Sequence, residues 1–131
     1  MRVAFTSTDG KNIDEHFGRC ACFFVWEVDA TRAAFEKVVS AVTTAQDEED
    51  RTSARVSAVA DCDIVYTVAV GGPAAAKLVS HRIHTMKTGA PVAIADVVER
   101  LQGVLRGTPP PWLRKAMAAG EASEASEASE A

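Results

Sequence analysis

Ile64 to Val70 (IVYTVAV) runs without a charge, and Gly71-Gly72-Pro73 follows it directly. A strand with one wet face alternates apolar and polar residues, whereas a strand covered on both faces reads as a continuous apolar run. The two glycines end the run, and Pro73 suits the first turn of a helix because its missing N–H and fixed φ cost nothing there. A strand of this kind demands strands beside it and helices over it, so the chain is read as α/β with one central sheet.

The flanking segments supply those parts. Residues 2–8 (RVAFTST) alternate and read as a strand, residues 9–19 are turn-like from the Asp9-Gly10 signal onward, and residues 21–28 (ACFFVWEV) are a second strand rich in aromatic and β-branched residues. Residues 34–42 fit a third strand or a short helix. Four consecutive acids in QDEEDR (46–51) form a solvated loop running into a helix over about 51–60, since acids are favoured at a helix N-terminus. The helix after the glycines spans about 73–82, short strands are expected at 83–86 and 91–94, and Ile94, Val97, Val98, Leu101, Val104 and Leu105 repeat at helical spacing until Gly107. Pro109-Pro110-Pro111 is a stiff link to one more short helix at 112–117.

A chain of 131 residues is sized for one domain, and no stretch approaches the roughly 18 apolar residues of a membrane span. The first strand carries Arg2 and soon reaches Asp9, unlike an export signal, so a cytoplasmic location is expected. The net charge is −4, but residues 120–131 (GEASEASEASEA) hold four glutamates, and residues 1–119 are formally neutral. Neutrality argues against nucleic acid as the main ligand. The tail has no large apolar residue with which to offset its ordering entropy, so residues 118–131 are read as a disordered acidic extension of a domain at 1–117. Cys20, Cys22 and Cys62 are odd in number in a chain without an export signal, which favours free thiols over disulfides.

Four features carry candidate chemistry. His16 sits in a polar, glycine-flanked loop, either as a solvent-exposed side chain or as a metal ligand, with Gly18 allowing close approach of a bulky ligand. Cys20 stands at the loop–strand boundary and is expected to be the accessible thiol; Cys22 and Cys62 read as small buried apolar residues. The Gly71-Gly72 turn presents helix N-terminal N–H groups, or is simply tight. Finally, the 32 residues from Ile64 to Ala95 contain no Asp or Glu but include Lys77, His81, Arg82, His84 and Lys87, either a cationic rim or an ordinary surface; His81 fits a helix-end role. No nucleophile–base pair and no paired carboxylates stand at plausible catalytic spacing; Asp61 and Asp63 fit turn roles.

Asp9-Gly10-Lys11, Asp14-Glu15-His16-Phe17-Gly18, Asp61-Cys62-Asp63-Ile64, Gly71-Gly72-Pro73-Ala74 and Ile83-His84-Thr85-Met86-Lys87, in that order, closed by Pro109-Pro110-Pro111-Trp112-Leu113-Arg114-Lys115, resemble the NifX-type family of nitrogenase iron–molybdenum cofactor biosynthesis proteins over about residues 1–117. That family also takes in the C-terminal domain of NifB and the cofactor-binding domain of NafY. The resemblance implies an RNase H-like α/β domain with a central mixed sheet flanked by helices and without nuclease activity. It implies a non-catalytic carrier that binds an iron–sulfur precursor of the iron–molybdenum cofactor and transfers or stores it between a donor and an acceptor scaffold, with no nucleic acid and no membrane. His16 carries over as cluster ligand or contact, and Cys20 as a second ligand. The expected contact set is then His16, Phe17, Gly18, Cys20, Gly71, Gly72, Lys77, Arg82, His84 and Lys87, since an anionic cluster favours cations and N–H donors.

Three other readings stand beside it. His16, Cys20, Cys22 and Cys62 would suit a closed Cys3His zinc site. The implied fold also hosts nucleases, although the strands offer only Glu27 and Asp63 where several clustered carboxylates are needed to hold two metals. The third is an adaptor of nitrogenase assembly that carries no cargo.

Overall fold

A computed structural model describes residues 1–116. The chain runs β1 (Arg2–Thr6), β2 (Asn12–Ile13), β3 (Cys22–Val28), β4 (Ala33–Ser40), α1 (Glu48–Ala58), β5 (Ile64–Thr67), α2 (Gly72–Ser80), β6 (His84–Lys87), β7 (Val92–Ala93) and α3 (Ile94–Arg106), with a further helical segment at 111–116. Five strands form one mixed sheet in the order β4-β3-β1-β5-β6. β1 is antiparallel to β3 and parallel to β5, and β6 continues the parallel half. This is the expected α/β architecture, a central mixed sheet flanked by helices. The acidic extension expected from residue 118 onward lies outside the described residues.

The alternation of each strand divides the core in two. Val3, Phe5, Ile64 and Tyr66 pack with Ile94, Val97, Val98, Leu101 and Leu105 of α3. Their neighbours Ala4 and Val65 point the other way, with Phe23 and Val25, onto Val56 of α1 and Leu78 of α2. Successive side chains of a strand leave opposite faces, so one register supplies both layers. The apolar run 64–70 is therefore explained: β5 is covered on both faces, and all four of its residues are buried. Burying the five α3 side chains contributes on the order of 10 kcal/mol gross.

Several elements differ in detail from expectation. The acids of QDEEDR lie inside α1: Asp47 is its N-cap, accepting from the Asp50 N–H, and Glu48, Glu49 and Asp50 form the first turn. Carboxylates there meet both the free N–H groups and the positive end of the helix dipole. Residues 33–40 resolve as a strand because β3 supplies a full-length partner, and the pairing skips Glu36 as a bulge. The segment expected to be only a turn contains β2, which pairs with β7 through Asn12–Ala93 and Ile13–Val92. Gly10 has φ +75°, and a Cβ there would stand 2.8 Å from the Phe24 ring, so both the turn and the packing require glycine.

Candidate functional site

β1, β5 and β6 are parallel, so their carboxyl ends gather at one pole of the sheet. In open α/β sheets ligands bind outside this end. The segment carrying His16 is tied down there. The Glu15 carbonyl accepts from Thr6 Oγ1 at 2.8 Å, Thr67 Oγ1 at 3.1 Å and the Val68 N–H at 3.2 Å. The Phe17 N–H donates to the Ala69 carbonyl at 2.9 Å. Thr6 and Thr67 are buried, with their hydroxyl oxygens 3.1 Å apart, so two strands converge on one loop carbonyl.

Phe17 explains why the loop is seated. Its ring is fully buried and lies 5.5 Å from the ring of Phe23. His16, beside it, is exposed. A short turn follows, with the Arg19 and Cys20 N–H groups both donating to the His16 carbonyl at 3.1 Å. The imidazole thus projects from a backbone fixed on both sides.

Gly18, Gly71 and Gly72 are exposed, and a Cβ added to any of them would meet nothing within 4 Å. None has a positive φ. Neither packing nor backbone conformation therefore requires glycine at these positions. Their effect is to leave backbone uncovered, Gly18 two residues past His16 and Gly71 two residues past the Ala69 that holds the loop. α2 begins at Gly72 with no side-chain cap and no acid in its first turn. Its first N–H groups and the positive end of its dipole remain available to an anion.

Cys20 is a correction. Expected to be accessible, its thiol is fully buried and donates to the Phe17 carbonyl at 3.3 Å. The 16–20 turn folds it under the loop, and burial raises its pKa to about 11. Cys62 is buried as expected, with its pKa raised to about 12 by burial and by neighbouring Asp61. Cys22 is half-buried and is the most open of the three thiols. Among the described residues no three His, Cys, Asp or Glu side chains are grouped to hold a metal ion, which speaks against the closed Cys3His site. Glu27 and Asp63 form no metal pair either: Glu27 meets the N-terminal ammonium at 3.3 Å, and Asp63 accepts the Arg2 N–H at 3.0 Å.

The acid-free stretch does not fold into a single rim. Lys77 bridges α2 to α1, donating to Ser53 Oγ at 3.0 Å with Glu49 at 3.7 Å. His81 closes α2, its Nδ1 2.8 Å from the Lys77 carbonyl, as its helix-end position suggested. Arg82 and His84 stand at the start of β6, the pole opposite His16, and Lys87 stands at its end beside Thr67. Arg82 takes a left-handed turn, φ 62°, to enter β6. His84 is half-buried and stacks on Trp112, ring centroids 3.6 Å apart, and burial lowers its pKa. The sequence offered no sign of that partner across the proline link.

The family described as dinitrogenase iron-molybdenum cofactor matches residues 1–103. The chain is 41% identical to Protein NifX of Rhodobacter capsulatus over 92% of its own length and 80% of that protein's. It is 37% identical to Protein NifX of Sinorhizobium fredii, over 90% and 78%, and 35% identical to Protein NifY of Azotobacter vinelandii, over 91% and 49%. A solved structure from Methanocaldococcus jannaschii superposes with TM-score 0.58 at 18% identity, over 80% of this chain and 90% of that one. The structure of PH0822 superposes with TM-score 0.64 at 24% identity, over 79% and 91%. At such identities these two likenesses show the fold alone.

Proposed function

The chain belongs to the dinitrogenase iron-molybdenum cofactor family, and on that premise we propose that it is a non-catalytic carrier of an iron–sulfur precursor of the cofactor, held at the His16 pole. The family ties the chain to the biosynthesis of that cofactor; the cargo and its seat are our reading. The observation that carries it is an exposed imidazole on a loop anchored to the Ala69 carbonyl, with three exposed glycines that the fold does not need at positions 18, 71 and 72 of the two linked segments. Imidazole is a good iron ligand. Uncovered backbone N–H groups at the start of α2 suit an anionic, sulfide-rich cargo. One protruding ligand rather than a closed cage also suits a protein that must release what it binds to an acceptor scaffold. Among the described residues no helix is long and apolar enough to cross a membrane.

In this reading Phe17 positions the loop and Cys20 is part of its underside, so His16 is the protein ligand and Gly18, Gly71 and Gly72 line the seat. Anaerobic titration of the full chain with an isolated iron–sulfur precursor, followed by absorbance, tests it. His16→Ala is expected to bind at least about tenfold more weakly, about 1.4 kcal/mol, while remaining folded. Folded His16→Ala protein that takes up the precursor as the parent does would contradict the proposal.

A further inference from the structure

On the α3 side of the sheet, the β6 edge, α3 and the 111–116 helix line a groove of about 620 Å³. Its walls are largely apolar, with Met86 from β6 and Val97, Leu101 and Val104 from α3. Val104 belongs to the apolar stripe of α3 yet remains 42% exposed, whereas Leu101 and Leu105 on either side of it are buried. Trp112 lies flat on His84, planes 10° apart, and forms a stacked end wall.

The charge of the groove is one-sided. Lys87 and Arg100 line it, and no Asp or Glu does. Among the described residues neither cation is ion-paired. The hollow across the His84–Trp112 pair is different, its lining mixing Asp61 and Asp63 with Arg82 and Lys115. We propose that the groove is a binding site for a small organic anion, a compact aromatic or branched apolar body bearing one carboxylate. The size falls in the range of about 300–1,000 Å³ usual for small-molecule sites, which pair apolar walls with a few polar groups. The apolar body replaces water on Val97, Leu101, Val104 and the indole. The carboxylate is held by the guanidinium fork of Arg100 and the point charge of Lys87. A hydrophilic polyanion would leave those walls wet, and a cation would meet two like charges. This site does not depend on the cargo reading, since it contains neither His16 nor the glycine turn.

The test uses 15N-labelled full chain and two probes, 4-phenylbutyrate and the uncharged 4-phenylbutan-1-ol. The protein has two tryptophans, so it has two indole N–H signals: Trp112 in the groove and Trp26 on β3. The acid should shift Trp112, Met86 and Arg100 saturably and leave Trp26 still. The alcohol should bind in the same place about fivefold or more weakly, the scale of one partly exposed charge contact. Lys87→Gln with Arg100→Gln, both at exposed positions, should erase the preference for the acid while the alcohol still binds. Absence of saturation below about 5 mM, a Kd too weak for a built site, overturns the proposal. So does equal binding of acid and alcohol, movement of the Trp26 signal, or a double variant that keeps its preference for the acid. Precursor uptake reads His16 alone, so this site and the proposed function fail separately.

Discussion

Phe17 and His16 are neighbours with opposite duties, and replacing each with alanine separates them. The Phe17 ring is fully buried, in contact with Phe23 and grouped with Cys20, Val25 and Ala41. Truncating a buried Phe to Ala costs about 3–5 kcal/mol, from lost transfer energy and the cavity left behind. The loop is at the surface, where water can reach part of the space left behind, which favours the lower end, about 3 kcal/mol. For a domain of this size that corresponds to a Tm lower by roughly 10–15 °C. His16→Ala removes an exposed side chain with no packing role, so its effect on stability should stay within about 0.5 kcal/mol. Urea unfolding followed by circular dichroism gives both numbers, provided the m-values agree. Phe17→Leu should recover more than half of the loss by restoring apolar volume. A Phe17→Ala cost below about 1 kcal/mol, or a His16→Ala cost above it, would refute the account of how the loop is held.

Three further outcomes follow from the structure. Cys20 and Cys62 have pKa values raised by burial to about 11 and about 12, so the folded state keeps protons that the unfolded chain releases near pH 9; stability is therefore present below pH 9 and falls between about pH 9 and 12, and Cys20→Val with Cys62→Val should flatten that fall in Tm measured against pH. Iodoacetamide at pH 8, read by peptide mass, should label half-buried Cys22 before the two buried thiols. Lys77→Gln should lower stability by no more than about 1 kcal/mol, because its bridge to Ser53 and Glu49 is partly exposed, and the loss should shrink in high salt.

What the sequence could reveal followed from local pattern. The uncharged run at 64–70 announced the two-sided strand, and the periodicity of 94–105 announced α3, five of whose residues are buried. Both signals are set by burial, which composition records directly. Features that depend on where a loop returns were not legible. Cys20 is two residues from a strand, yet the 16–20 turn tucks its thiol beneath Phe17. The two-residue strand β2 exists because β7 comes back to meet it some eighty residues later. The acid-free stretch is contiguous in the chain, but β6 carries it across the sheet at about 3.3 Å per residue, so Arg82 and Lys87 finish at opposite poles. Glycines told only half of their meaning in sequence: the glycine at position 10 is required by its φ and by Phe24, whereas those at 18, 71 and 72 have no such requirement.

Ligation of the proposed cargo by His16 can be measured directly, because the chain has three histidines. Pulsed electron paramagnetic resonance on protein labelled with 15N-histidine and loaded anaerobically with a paramagnetic iron–sulfur precursor reports any imidazole nitrogen bound to iron. A 15N coupling is expected in the parent, kept in His81→Ala and His84→Ala and lost in His16→Ala. A coupling that survives in His16→Ala, or a loaded parent with no histidine coupling whose uptake is abolished by Cys20→Ala or Cys22→Ala, would place the cargo on other ligands and contradict ligation by His16.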